Sequence, residues 1–465
     1  MEDDMEIWER GPPGKLSPKN LWGYAFGAIP VALLGGIFTL KYVEFFYNDL
    51  KLLPLYFIIG QIIYMIINAL NDPIIGQLTD RTNRERWGSR RIIYVKYGGP
   101  IWVFTFLIVW FPWSFDNQFI IFLHYVVSIC LFDTLLTLVV MCWMATLPEM
   151  TSDTGQRIKA NFIAGIIMTI AALPFFIILA DMKPTTQTYQ VYCFIIAIIS
   201  TVFLILVSIM TEEKPEFQHD EVFPLWKSMR ETMKSKSYLI FIGYNFFLVF
   251  NGSIGLSYLF VYVFILGIQS TLDIILFFII LIVIGYLSAF WCILLRPTWG
   301  MRKVILRFGT LRIIGAIATF IFIITPGLEW FVWIGIIWGS VFSGYGVYTI
   351  GGLMALCMDE DELKYGTRRE GMYLGINALF TKPASSLGPI VATIILVYFG
   401  YIQGSDTQPA SALLGIKILM FLIPTIGIII SLIIISFFPL HGERLKEMQK
   451  KLEELHRKKR KQLLN

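Results

Sequence analysis

The sequence contains little charge for its length. Charged residues make up 15% of the 465 residues, and hydrophobic residues make up 56%. Soluble domains contain about 25% charged residues. Because a water-soluble fold cannot bury so much apolar surface, this composition excludes an ordinary soluble enzyme, a disordered chain and a nucleic-acid-binding module. The net charge of +5 is not evidence for a nucleic-acid partner, since the distribution of charge matters more than its sum.

Cysteine and histidine are also scarce. None of the five cysteines is paired at CxxC spacing, and the four histidines are scattered along the chain. We therefore predict that the cysteines are small buried hydrophobes, not a disulfide framework or a zinc site. The HExxH, GxSxG and phosphate-loop patterns are absent from the sequence, which argues against a membrane-embedded enzyme and against a bound cofactor.

Long apolar runs dominate the sequence instead. A membrane helix needs about 20 mostly apolar residues, and twelve segments meet that requirement. The sequence therefore predicts an all-α membrane protein with twelve transmembrane helices. The predicted spans are Leu21–Tyr47, Leu53–Leu78, Ile92–Phe111, Phe119–Leu147, Ile158–Ala180, Tyr189–Met210, Tyr238–Leu266, Leu272–Leu295, Val304–Ile324, Trp330–Cys357, Met372–Gly400 and Ala412–Phe438.

These spans predict five regions. A polar segment (1–20) without the features of a cleaved signal precedes a six-helix bundle (21–210), a central loop (211–237), a second bundle (238–438) and a charged tail (439–465). The loops on the side of the termini carry 19 lysines and arginines, whereas the opposite loops carry 2. Because positive loops stay inside, we expect both termini in the cytoplasm and a multi-pass protein of the plasma membrane.

The two halves of the chain repeat short motifs. Trp87–Arg91 and Trp299–Lys303 lie 212 residues apart, and Gly155–Arg157 and Gly366–Arg368 lie 211 apart. Two matches at nearly one offset indicate a duplicated six-helix unit. A parallel repeat of six-helix halves is the major facilitator architecture, which works by alternating access around a midplane site. The loop arginines then act as cytoplasmic latches, or they only set the topology.

Charged and polar residues within the spans are candidate functional groups. A charge in the hydrocarbon region costs on the order of 3 kcal/mol. Asn68 and Asp72 share one face of the second span, and Asp133 and Thr137 share one face of the fourth. Such oxygen ligands suit Na⁺, whereas a lone buried carboxylate can carry H⁺. Two structural alternatives stay open: Asp72 pairs with a loop arginine, and Asp133 pairs with Lys382.

Two further residues are candidate substrate contacts. Trp143, in the inner third of the fourth span, is suited to stack on a sugar ring, although packing is the more common role of a single tryptophan. Asn251 is a polar residue within the seventh span, and its Asn-Gly-Ser sequon should not be glycosylated there. The candidate substrate-binding set is Trp143, Asp133, Lys382 and Asn251.

Several blocks of the sequence resemble one transporter family, the glycoside-pentoside-hexuronide:cation symporters, whose best-known member is the melibiose permease. The first two blocks are specific to that family, and the likeness extends over all the spans. The blocks are Asn71–Gly76 with Asp80–Thr82 and Trp87–Arg91, then Asp359–Leu363 with Gly366–Gly371 and Lys382, then Leu147–Thr151 and Phe46–Asp49.

This resemblance implies a secondary active transporter that couples a sugar or glycoside-like solute to Na⁺ or H⁺. By the resemblance, Asp72 matches the second acidic position of the family's cation site, and the amide of Asn68 replaces the first. Thr137 matches a hydroxyl of that site, and Lys382 matches a nearby lysine. The resemblance also implies that Trp143 lies beside the sugar-contacting segment.

The sequence departs from the family at the sugar site. Two carboxylates that bind sugar in the melibiose permease fall on Ala32 and Val140, and a supporting arginine falls near Ala164. Either other groups such as Asp133 replace them, or the substrate is a lysolipid-like amphiphile. With one acidic residue fewer, the ion is Na⁺ or H⁺, or coupling has been lost and the protein is an uncoupled facilitator.

The remaining expectations concern the cytoplasmic side and the partners. We expect a functional monomer that binds a small-molecule solute and membrane lipid, and no nucleic acid. The tail, with its Lys458–Lys461 run, is predicted to be a solvated helix, with contact to anionic head groups as the alternative. The predicted cytoplasmic gate consists of Asp80, Arg81, Arg90, Arg91, Asp361, Arg368 and Arg369.

Overall fold

The regular structure of the described residues is entirely helical. The fold was analysed in a computed structural model. It describes residues 16–80, 82, 87–89, 91–151, 154–180, 182–212, 230, 232–257, 264–265, 267, 271–365, 370–405 and 407–464.

Within these residues, twelve helices are long and apolar enough to cross a membrane, which confirms the predicted number of spans. We label them α1 to α12, and the tail helix is α13. Their bounds are α1 Pro18–Asp49, α2 Pro54–Asp80, α3 Ile92–Trp110, α4 Gln118–Met150, α5 Thr154–Ala180, α6 Gln187–Met210, α7 Lys236–Ser257, α8 Thr271–Trp299, α9 Met301–Ile324, α10 Glu329–Tyr365, α11 Glu370–Tyr398, α12 Ala410–Ser436 and α13 Gly442–Leu464.

Most spans begin or end within about four residues of their predicted bounds, and α10 differs most. α10 continues to Tyr365, beyond the predicted end at Cys357, because the acidic and basic residues that follow are good helix formers outside an apolar segment. α7 is described to Ser257, and the last part of the predicted span, residues 258–263, lies outside the described residues. Hydropathy alone therefore locates a membrane segment better than it locates the end of a helix.

The helix starts have identifiable local causes. Pro18 opens α1, where its missing N–H costs nothing, and the Ser17 hydroxyl accepts the Asn20 backbone N–H at 3.2 Å. At the start of α4, the Asn117 side-chain oxygen accepts the backbone N–H groups of Phe119 and Ile120 at 3.0 and 3.2 Å. These caps satisfy donors that have no partner within the helix.

The chain divides into two compact units, Met1–Val222 and Phe223–Asn465. In the first unit, α1 packs against α5 and α6, α4 packs against α2 and α3, and α3 packs against α6. In the second unit, α7 packs against α11 and α12, α10 packs against α8 and α9, and α9 packs against α12. Each pair in one unit has its counterpart six helices later, so the packing agrees with the duplication predicted from the motifs.

The repeated Trp-Gly motif also has a repeated backbone conformation. Gly88 has φ of +76°, and Gly300 has φ of +73°. Residues other than glycine rarely adopt this left-handed region. Gly300 directly precedes α9 and ends the turn from α8, so the glycine is required where one span reverses into the next. The two motifs thus perform the same backbone role in both halves.

The surface of α2 explains how the first unit exposes apolar residues to lipid and buries polar ones. Exposed apolar side chains recur along one stripe at helical spacing: Leu55, Ile59, Ile62, Ile66, Leu70, Ile74 and Leu78. The opposite stripe is buried and includes Gln61, Tyr64, Asn68 and Asn71. Because helical neighbours lie three or four residues apart, the polar groups of α2 line up toward the interior of the bundle.

The five cysteines, Cys130, Cys142, Cys193, Cys292 and Cys357, are all buried, as predicted.

In the second unit, α13 packs against the last part of α10, which contains Asp359 to Glu362. The Arg444 guanidinium donates to the Glu360 carboxylate at 3.0 Å, and Met448 is buried against the unit. The first part of α13 is therefore a packed element, whereas the tail was predicted to be a solvated helix.

The segment that connects α12 to α13 contains a titratable contact. The Arg302 guanidinium donates to the Ser436 carbonyl oxygen and meets the His441 ring at its Nε2 atom. Partial burial, and then the charges of Arg302 and Lys303, lower the pKa of His441 below its usual value near 6.5. At neutral pH the ring is therefore neutral and can accept from Arg302.

We expect acidification to weaken this contact. Because the pKa of His441 is lowered in the folded state, its stabilising contribution is present above the usual histidine value and decreases as the pH falls below it. Hydrogen exchange of the α12–α13 connection should therefore accelerate between pH 7.5 and about 5 beyond the intrinsic change in exchange rate. The variant His441→Gln should remove this excess, and an equal excess in the variant would contradict the assignment.

Candidate functional site

The interior face of α2 meets α4 in a polar cluster. The Tyr64 hydroxyl donates to Asp133 Oδ1 at 3.0 Å, and Asn71 Nδ2 lies 3.3 Å from Asp133 Oδ2. Asn71 Nδ2 also donates to Thr134 Oγ1 at 3.1 Å. Asp133 is 7% exposed, so its carboxylate is held by hydrogen bonds within the bundle. We call Tyr64, Asn68, Asn71, Asp133 and Thr134 the α2–α4 polar cluster.

Asn68 contributes an unsatisfied oxygen to this cluster. It is 4% exposed, and its Oδ1 atom is buried without a hydrogen-bond partner. Asn68 lies one helical turn from Tyr64 and one turn from Asn71, the two residues that bind Asp133. Since a buried polar atom without a partner costs about 1–3 kcal/mol, the Asn68 oxygen is suited to accept a donor or to ligate a cation.

The other two predicted cation ligands border the cluster. Asp72 directly follows Asn71 on α2 and is half-buried. Thr137 is 6% exposed and lies one turn from Asp133 on α4. Both residues have interaction partners in the structure. The helical register places Asn68 and Asp72 on one face of α2, and Asp133 and Thr137 on one face of α4.

Gln61, also on the buried face of α2, bonds to α1. Gln61 Nε2 donates to the Tyr42 hydroxyl at 3.1 Å, and both side chains are buried. The Tyr42 ring stacks on Phe38 with centroids 5.0 Å apart. Buried hydrogen bonds thus join α2 both to α4 and to α1.

The sequence prediction missed Tyr64. Tyrosine is abundant in the chain, with 21 residues, and its hydroxyl has no special status in a hydropathy pattern. The available signal was its position four residues before Asn68, which places both on one face of α2. Asp133, predicted as a substrate contact, has the α2 residues Tyr64 and Asn71 among its partners.

Other charges within the spans have structural partners. Lys41 Nζ lies 2.7 Å from the Glu44 carboxylate and 3.4 Å from the Met182 carbonyl oxygen. Lys417 Nζ donates at 2.7 Å to the carbonyl oxygen of Ile323, near the end of α9. A cation close to the last carbonyls of a helix is favourable because of their partial negative charge. Lys417 therefore stabilises the end of α9, whereas Lys41 is neutralised by Glu44.

The predicted residues of the second unit lie on α7 and α11. Asn245 Nδ2 donates to Asn377 Oδ1 at 2.8 Å, which joins the two helices through buried amides. Lys382, five residues beyond Asn377 on α11, is half-buried. Both side-chain amide atoms of Asn251 are buried without a partner, against Gly427 of α12. Asn251 therefore occupies a glycine notch between α7 and α12.

Trp143 is packed inside the first unit. Its Nε1 atom donates to the Tyr24 carbonyl oxygen at 2.8 Å, and its ring stacks on the Tyr24 ring with centroids 5.0 Å apart. The indole also fills the space beside Gly27, and it is only 8% exposed. This geometry supports packing, the more common of the two roles that the sequence left open.

The structure describes some of the residues of the predicted cytoplasmic gate. Arg91 Nη1 donates to Thr79 Oγ1 at 2.7 Å, so the loop after α2 is braced against the end of that helix. Asp361 is buried in the last part of α10 and has interaction partners. The predicted gate residues Arg81, Arg90, Arg368 and Arg369 lie outside the described residues, as does the side chain of Asp80.

Twelve membrane-spanning helices in two repeated units define the class of the molecule as a major facilitator transporter. Solved transporters share this fold: the D-xylose-proton symporter has a TM-score of 0.58 at 13% identity, over 90% of this chain and 96% of that chain. The sequence model of the MFS/sugar transport protein family matches residues 23–442 of this chain. The chain therefore belongs to that family, which confirms the resemblance and places it among transporters, not enzymes.

Three curated relatives cover nearly the whole chain at low identity. Transmembrane protein 180 of Gallus gallus is 21% identical over 90% of this chain and 91% of that protein. Sodium-dependent lysophosphatidylcholine symporter 1 of Xenopus tropicalis is 21% identical over 94% and 90%. The isoprimeverose transporter of Lactiplantibacillus pentosus is 24% identical over 85% and 84%. The family thus includes relatives named for a sugar and for a lysolipid.

Proposed function

We propose that this protein is a symporter that couples a sugar or sugar-like solute to a monovalent cation by alternating access in the plasma membrane, with both termini in the cytoplasm. The observation that carries the proposal is the α2–α4 polar cluster, in which a buried carboxylate lies beside a buried amide oxygen without a partner. Such a cluster in a membrane is costly, and a coupling ion that binds there offsets the cost.

In this proposal the ion is Na⁺ or H⁺, and the ligands come from both helices. α2 supplies Asn68 and Asp72, and α4 supplies Thr137 and Asp133. Na⁺ would be held by their carboxylate, amide and hydroxyl oxygens, whereas H⁺ would reside on a carboxylate. Asp133 replaces the negative charge that Asn68 lacks, and Tyr64 and Asn71 orient its carboxylate.

Asp133→Asn should weaken ion binding at least about tenfold, because it removes one negative charge and one oxygen ligand. The readout is thermal stabilisation of the purified full chain by Na⁺, with choline at constant ionic strength, and a pH titration without Na⁺. Asp116→Asn, at an exposed carboxylate in the loop before α4, is the control and should keep the wild-type affinity. Equal affinity in Asp133→Asn and wild type would remove Asp133 from the site.

Substrate class is tested by counterflow in proteoliposomes. Vesicles preloaded with one unlabelled solute are diluted into traces of the labelled solute, and a panel of pentosides, hexosides and lysolipids is compared. We expect transient uptake of a sugar, because exchange requires only a carrier that alternates between its two faces. No counterflow with any member of either class would contradict the proposed function.

An amphiphilic substrate is the second candidate, and one observation favours it. The surroundings of Val140 are apolar: Pro30, Val31, Val95 and Val139 lie around the same small void. Ala32 is also buried in the first unit. Counterflow of a lysolipid that excess sugar does not inhibit would establish this alternative and exclude the sugar.

A further inference from the structure

The outer surface of the second unit contains a groove between α8 and α9. Its volume is about 460 Å³, within the range of about 300–1,000 Å³ that is usual for small-molecule sites. Phe308, Phe342 and Trp291 form its aromatic floor. The Phe308 ring centroid lies 5.0 Å from that of Trp291 and 5.4 Å from that of Phe342, so the three rings support one another.

One end of the groove is basic. The Arg307 guanidinium lies 4.1 Å from the centroid of the Trp299 ring, and both residues line the groove. Arg307 is in the second turn of α9, about 9 Å along the helix from Met301. Arg296 and Lys303, which are exposed at the adjacent ends of α8 and α9, add two more positive charges. Tryptophan and arginine at this depth are typical of the membrane interface.

We infer that this groove binds one phospholipid with an anionic head group. The phosphate and the head-group carboxylate or hydroxyls would contact Arg307, Lys303 and Arg296. One acyl chain would lie along Leu311 and the aromatic floor toward the membrane centre. The basic end of the groove, near the α8–α9 loop, matches the head group of such a lipid. The aromatic and aliphatic side chains beyond it match the acyl chain.

The position of the groove favours a membrane lipid as the occupant. Trp291 is exposed on α8, a helix long and apolar enough to cross a membrane, so an acyl chain is a fitting neighbour for its ring. The α8–α9 loop is one of the basic loops predicted to lie in the cytoplasm, and anionic lipids are concentrated in the cytoplasmic leaflet. This inference is independent of the ion site, because it concerns the second unit and a different ligand.

Lipid binding is measured by native mass spectrometry of the delipidated full chain, titrated with phosphatidylserine or with phosphatidylcholine of the same acyl chains. The wild type should bind phosphatidylserine more tightly. Arg307→Gln should reduce that preference by about fivefold, the contribution of one basic residue at an anionic surface. Lys446→Gln removes an equal charge from exposed α13 and should leave the preference unchanged.

A second variant tests the apolar half of the groove. Thr310→Trp fills the groove from its exposed side and should lower the affinity for both lipids, whereas Ile321→Trp, also exposed on α9, should not. Soluble glycerophosphoserine should fail to compete, because it lacks acyl chains. Equal wild-type affinity for the two lipids, or equal effects of Arg307→Gln and Lys446→Gln, would overturn the inference. If Thr310→Trp does not fold, Arg307→Gln alone decides.

Discussion

Asp72→Asn should abolish gradient-driven accumulation of the solute while leaving passive exchange. Asp72 is a half-buried carboxylate next to the α2–α4 polar cluster, and asparagine keeps its size but not its charge. Coupling between two ligands on one protein is typically worth about 5–150-fold in affinity. Without the charge, the ion would no longer favour the state that binds solute. The ratio of uptake with an imposed gradient to uptake without one should therefore fall to about 1.

The matched control for this change is Asp116→Asn, in the exposed loop before α4. It removes one carboxylate from the same unit but leaves the α2–α4 polar cluster intact, so its uptake ratio should equal that of wild type. The measurement is radiolabelled uptake into proteoliposomes under a Na⁺ gradient and, separately, under a pH gradient. Wild-type accumulation in Asp72→Asn would show that this carboxylate takes no part in coupling.

Gly344→Ala should destabilise the second unit by about 3 kcal/mol or more, the upper range for overpacking. Gly344 begins the 3-10 segment of α10, and a methyl group there would overlap the backbone of Ser288 and Ala289 on α8. Backbone atoms cannot rotate away as a side chain does, so the two helices would have to separate. Separation would also break the bond from the Gly344 N–H to the Ser288 hydroxyl, at 2.9 Å.

Gly346→Ala provides the control two residues along the same segment. No atom lies within 4 Å of the position that its Cβ would occupy. The substitution should therefore be neutral or slightly stabilising, because alanine loses less backbone entropy than glycine on folding. The two variants are compared by their midpoint temperatures of thermal aggregation, which are measured by fluorescence-detected size-exclusion chromatography. Equal midpoints would contradict the close approach of α8 and α10.

The sequence was sufficient to predict the membrane class, the number of spans and the internal repeat. These features depend on apolar length and on motifs such as Trp87-Gly88 and Trp299-Gly300, which are local. Both glycines adopt the left-handed conformation that the repeated turn requires. Local patterns of this kind can be read without knowledge of the packing between helices.

The candidate site could be predicted only in outline. Asn68 and Asp72 were found because they are polar residues four apart on one span. The partners of Asp133 were not found, because the sequence of α4 does not show which face of α2 it meets. The sequence left Asp133 either with the substrate or with Lys382, and it gave no sign of the bonds from Tyr64 and Asn71.

The role of Trp143 could not be predicted from the sequence either, because it also depends on contacts between helices. Its position in the span suggested either a sugar or packing, and only the contacts with Tyr24 and Gly27 distinguish the two. The bond from its Nε1 to a backbone carbonyl is a tertiary contact between residues 119 apart. No hydropathy pattern contains such information.

The measurement that tests the account most directly is solute accumulation in proteoliposomes containing the wild-type chain. The labelled solute is the one identified by counterflow, and Na⁺ and pH gradients are imposed separately. The account predicts that one of the two gradients drives the internal concentration above the external one, and that an ionophore for that ion collapses the difference. Equal concentrations inside and outside under both gradients would contradict cation-coupled symport.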